Sequence, residues 1–188
     1  EPQEIRNFLV IKLNETLFNK LENLASEKMI TDILSLSKKQ IDINYHFELL
    51  LYIIIISNAY KKINDKDYIH YYKDFSRKFS DKLPRFIDKS IALCLNNITN
   101  HNNEIDNIKN IFASIDKNLP SHPFNKSNGF SPLLYIIIVS YIVNNKRNEN
   151  LNNLTSRIFN NEEYIKISKR GTNVITNFVT GIEIGRNL

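Results

Sequence analysis

Two stretches of this chain, FELLLYIIIISNAYKK at 47–62 and FSPLLYIIIVSYIVNN at 130–145, carry nearly the same apolar cassette. Their first residues, 47 and 130, are 83 apart, and at that offset eight of the first eleven positions are identical. A segment that is apolar on every side must be enclosed on every side, whichever secondary structure it adopts. One hairpin cannot enclose it alone, so a duplicated pair that stacks on its copy forms a shared core. Neither cassette reads as a membrane span, because each apolar core lasts about 12 residues against the roughly 20 that a spanning helix needs. Glu48 precedes the first and NNKR closes the second, so both read as buried elements of a soluble protein.

Periodicity alone does not separate a short apolar strand from a buried helix, and LLYIIII and LLYIIIV are open to both readings. No glycine or proline interrupts residues 40–62, and the whole chain holds only 4 glycines and 5 prolines, few for the turns of an all-β fold. The next segment places Tyr68, Tyr72, Phe75 and Phe79 at i, i+4, i+7 and i+11, one stripe of an amphipathic helix. The β-branched run weighs little against this. With 29 isoleucines, 28 asparagines and lysine well ahead of arginine, it fits an AT-rich genome. The expected class is all-α: stacked antiparallel helical hairpins, solenoid-like or in a compact bundle, with an internal duplication offset by 83 residues.

The pattern predicts helices over 3–22 and 26–38, then 45–62 and 66–82, then 84–97 and 103–118. Ser131 caps a further helix that opens at Pro132, a favourable first-turn position for proline. Its partner covers 149–159, and a last helix covers 172–184. The loop 118–129, with two prolines, divides a single domain of 188 residues into halves 1–118 and 129–188. Gly181 and Gly185 in TGIEIGR read as a helix end, where glycine supplies a left-handed cap.

Within SNAYKKINDKDYIHYYKDFSRKFSDKLP, residues 57–84, Ala59 and Tyr60 close one helix and a polar turn of about one residue follows. A second helix carries Tyr68, Tyr72 and Phe75, His70 stands near the family's small-residue position, and Pro84 closes the unit. This stretch resembles a tetratricopeptide repeat. The resemblance covers 28 residues and implies stacked helical hairpins with a groove for a protein partner.

Little in the sequence suggests catalysis. Cys94, in SIALCLNN, falls on the inner face of a helix and reads as a buried, inert thiol. A lone cysteine makes no intramolecular disulfide, which points to the cytoplasm or another reducing intracellular compartment. A chain that opens at Glu1 rather than methionine reads as processed or trimmed, and is compatible with a removed targeting segment. His46, His70, His101 and His122 show no HxxxH or HExxH spacing, no glycine-rich phosphate loop or G-x-S-x-G elbow occurs, and Glu162 and Glu163 are adjacent rather than facing. No catalytic residue, metal ligand or cofactor is assigned.

Charge is unevenly placed. Residues 61–89 hold nine Lys or Arg and five Asp, a net +4 within a chain of +5. Lys66, His70, Lys73 and Arg77 follow helical spacing beside the aromatic stripe, and Lys78, Lys82 and Arg85 extend this ridge. Asp67, Asp74 and Asp81 interrupt it, with Asp74 four residues before Lys78 and placed to pair with it. The tyrosines here read as core rather than a base-stacking platform. The expectation is a non-catalytic protein-binding, scaffolding or regulatory module; the alternative is a nucleic-acid-binding accessory protein that uses the ridge.

Overall fold

A computed structural model describes residues 2–79, 82–98, 100–126, 129–145, 151–169 and 175–188. The fold is all-α. In chain order its helices are α1 (Pro2–Ala25), α2 (Lys28–Leu34), α3 (Lys38–Asp42), α4 (Tyr45–Asn58), α5 (Tyr68–Lys78), α6 (Leu83–Leu95), α7 (His101–Asn118), α8 (Pro132–Asn144), α9 (Leu154–Asn160), α10 (Glu162–Ser168) and α11 (Ile175–Asn187). Two short antiparallel hairpins interrupt them: β1 (Lys62–Ile63) with β2 (Lys66–Asp67), and β3 (Asn125–Lys126) with β4 (Gly129–Phe130). Among the described residues no helix is long and apolar enough to cross a membrane.

The two cassettes are helices, α4 and α8, and they are the centre of the fold. Every residue from Leu49 to Ile56 in α4 and from Leu133 to Tyr141 in α8 is buried. α1, α6, α7 and α8 pack around α4, while α4, α7 and α11 surround α8. The Tyr135 hydroxyl donates to the Leu49 carbonyl at 2.8 Å and so ties one cassette to the other. At the 83-residue offset α4 falls on α8, and α5 on the 3-10 turn Leu151–Asn153 plus α9. α6 falls across α10 and α11.

Local chemistry explains most element ends. α1 is kinked at Asn14 (φ −164°, ψ 91°), whose side chain accepts a 2.8 Å hydrogen bond from the Leu17 amide and caps the second half. Ser131 caps α8 as expected, accepting from the Leu134 amide, with Pro132 in the first turn. The expected helix 26–38 is shorter: Ser35 turns left-handed (φ 48°) and ends α2, and Ser37 opens α3 with a reciprocal capping box to Gln40. The expected starts at Glu149 and Thr172 lie outside the described residues, as does Asp81.

Gly181 and Gly185 are not a cap. Both lie buried inside α11, one turn apart, where that helix meets α8. A Cβ on Gly185 would stand 2.3 Å from the Ile137 carbonyl oxygen and 2.7 Å from the Ser140 Cβ. The Ser140 hydroxyl donates to the Ile182 carbonyl across the same seam at 2.7 Å. Two helices approach this closely only where one lacks side chains, so the glycine pair serves packing.

Candidate functional site

The basic ridge begins in a turn. Asn64 and Asp65 both have positive φ (47° and 64°), the geometry of a two-residue hairpin loop, for which Asn and Asp are suited. The one-residue turn expected between α4 and α5 is therefore the β1–β2 hairpin, with Lys62 opposite Asp67 and Ile63 opposite Lys66. Lys66 accordingly sits on β2 and not on the helix that carries His70, Lys73, Arg77 and Lys78. The hairpin is anchored by the Ile69 amide donating to the Ala59 carbonyl (2.7 Å) and the Tyr68 amide to that of Lys61 (3.1 Å).

Hairpin and helix still bring much of the ridge together. An open concavity of about 560 Å³ gathers Lys66, His70, Lys73 and Arg77, adds Lys62, and sets Asp65, Asp67 and Asp74 among them. Lys73 is held by Glu183 of α11 at 2.5 Å. Asp74 pairs with Arg77 at 3.7 Å rather than with Lys78, whose ammonium stands 5.7 Å from the centre of the Phe79 ring. Lys82 precedes α6 and Arg85 lies in its first turn, both exposed and both outside the concavity. Lys62 and Asp65 escaped the helical-spacing argument because that spacing has no meaning in a hairpin.

Behind the ridge the aromatic stripe is core. Tyr68 and Tyr72 are buried, and the Tyr72 hydroxyl donates to the Ile55 carbonyl at 3.0 Å while touching the Cys94 sulfur at 3.1 Å. Burial pushes the Cys94 thiol up to about 12, so it stays protonated and unreactive at neutral pH.

The histidines are dispersed. His70 and His122 are exposed, and the side chain of His101 lies outside those described. No group of three His, Cys, Asp or Glu side chains gathers as a metal site among the described residues. His46 is half-buried beside Leu34, Leu36 and Ile41, and burial pulls it below the usual histidine range. The fold thus favours its neutral form: its stabilisation is present above the unfolded value of about 6.5 and is lost as pH falls below it. Chemical denaturation at pH 7 and pH 5, on either side of that value, checks this: His46→Gln should lose less stability on acidification than the wild type. An equal loss in both removes His46 from the account.

Comparison of the chain with protein-family models, with curated proteins and with solved structures finds no match.

Proposed function

We propose that this protein is a non-catalytic binding module whose partner is another protein, docked on the concavity between the β1–β2 hairpin and α5. The observation that carries this reading is the mixture of charge there. Lys62, Lys66, Lys73 and Arg77 share the surface with Asp65, Asp67 and Asp74. A polyphosphate laid along it meets three carboxylates, whereas a protein surface bearing both signs finds a complement for each. The resemblance of residues 57–84 to a tetratricopeptide repeat adds support by fold analogy alone.

The test compares wild-type protein with the Lys66→Glu/Arg77→Glu double variant as baits in nuclease-treated native lysate. Both positions are exposed, so circular dichroism should be unchanged. A protein captured by the wild type and lost from the variant supports the reading; equal capture by both sinks it.

The second reading, nucleic acid on the same surface, is favoured by four basic side chains converging in one concavity. It predicts that an oligonucleotide binds with an affinity that falls linearly on a log–log plot against salt.

A further inference from the structure

A second cleft, of about 380 Å³, lies between the end of α4, the β1–β2 hairpin and the α6–α7 junction. We propose that it binds a small zwitterion of amino-acid size, with the ligand's ammonium on Glu104 and its carboxylate on Lys61. This proposal is independent of the protein-docking reading above.

The two charged anchors differ in kind. Glu104, in the first turn of α7, is only 7% exposed, yet it lines the cleft. A carboxylate so far removed from water needs a cationic or hydrogen-bonding partner. The partner present is Lys61, at 3.5 Å and with its side chain 57% exposed. That contact is longer than the usual charge-assisted hydrogen bond, and its lysine is free to swing into water. An incoming ammonium can therefore take the carboxylate while Lys61 turns to the other end of the same molecule.

The neutral lining groups add partners of both kinds. Asn58, 4% exposed and part of the lining, spends its Nδ2 on the Ile54 carbonyl at 2.7 Å, which leaves its Oδ1 as an acceptor. Asn100 spends its Oδ1 on the Asn102 and Asn103 amides, which leaves its Nδ2 as a donor for a carboxylate. Tyr68, pushed up to about 12 chiefly by burial, keeps its hydroxyl proton and adds a second donor. The lining thus offers both acceptors for an ammonium and donors for a carboxylate. The volume falls within the range of small-molecule sites, and a charge-balanced ligand leaves no net charge buried.

The experiment is protein-observed NMR with each standard L-amino acid as probe, following backbone and Asn side-chain amides. At least one should saturate the shifts around Asn58, Asn100 and Asn103 with a Kd below about 1 mM. Its N-acetyl derivative and its C-terminal amide should each bind at least tenfold more weakly, by about 1.4 kcal/mol or more. Lys61→Met, with circular dichroism checking the fold because the change removes Glu104's partner, should erase the amino acid's advantage over its amide derivative. Glu104→Gln should abolish binding. The proposal is overturned if no amino acid saturates, if ethylamine binds as well as the amino acid, or if Lys61→Met leaves the affinity unchanged.

Discussion

Gly185→Ala should destabilise the fold by at least about 2 kcal/mol, lowering the melting temperature by roughly 4–8 °C in a chain of this size. Two effects oppose one another at this position. In an exposed helix interior, replacing glycine by alanine gains about 1 kcal/mol of helix propensity. Here the new Cβ would lie 2.3 Å from the Ile137 carbonyl oxygen and 3.0 Å from the Tyr141 amide nitrogen. Those are backbone atoms of a neighbouring buried helix, and they cannot turn aside as a side chain can. The helices must separate, which also stretches the 2.7 Å bond from Ser140 to the Ile182 carbonyl. The clash should win. Gly181→Ala is the internal control: its Cβ meets Ile136 Cγ2 at 3.1 Å and Leu133 Cδ1 at 3.2 Å, side-chain rather than backbone atoms. There the propensity gain should roughly cancel the crowding. Urea denaturation of the two variants side by side decides the matter, and equal effects would remove the close backbone approach as the cause.

Arg6→Met is expected to cost about 3 kcal/mol, because removing one member of a buried ionic group leaves the others uncompensated. Arg6 is only 2% exposed; its Nη1 donates to Glu48 Oε2 at 2.5 Å and its Nε to Asp88 Oδ1 at 3.0 Å. It therefore joins α1 to both α4 and α6. Glu48 also accepts from the Tyr52 hydroxyl at 2.5 Å, which places the group against the central cassette. The loss should depend on pH in a definite sense. Burial already pushes the Asp88 carboxyl above its usual range, with Arg6 pulling the other way. Without Arg6 the upward push of burial is opposed only by the weaker pull of Lys89, and a carboxyl raised in the folded state stabilises at low pH and ceases to do so as pH rises. The deficit of Arg6→Met should therefore shrink as pH falls through about 4. A loss under about 1 kcal/mol at neutral pH, with no change on acidification, would show that the ionic group does not hold these helices together.

Much of this fold was legible in the sequence where physics acts locally. The uninterrupted apolar runs gave α4 and α8, Ser131 followed by Pro132 gave the start of α8, and the aromatic stripe gave the buried side of α5. What was misread depends on single backbone angles. Ser35 ended α2, and Asn64 with Asp65 made a hairpin where a short polar turn between two helices was expected. The Asn-Asp pair was a readable signal for that hairpin, since both residues tolerate the left-handed region. So was Asn161, which accepts from the Tyr164 amide and opens α10 ahead of two acidic residues in its first turn. Gly181 and Gly185 were misassigned for a different reason: a close helix crossing is a tertiary fact with no local signature. The same holds for both surface sites. Lys62 and Asp65 join the ridge only through the hairpin, and Glu104 reaches Lys61 only once α7 folds back beside the end of α4.

α11 also has a bearing on how the chain is made. It emerges from the ribosome after every other described element, yet it fills a slot among helices made long before it. Phe178 stands edge-on to Tyr52 of α4 and to Phe86 of α6, with ring centres 5.0 and 5.4 Å away. Arg186 covers the Tyr60 ring at 3.8 Å, and the glycine face seals α8. Until these residues are translated, a nascent chain has two strongly apolar helices and no cover for one flank of them. Such an intermediate is prone to aggregate, and synthesis is slow compared with helix formation. Completion of the core is therefore paced by translation, and a stalled or shortened product would be a natural client for chaperones.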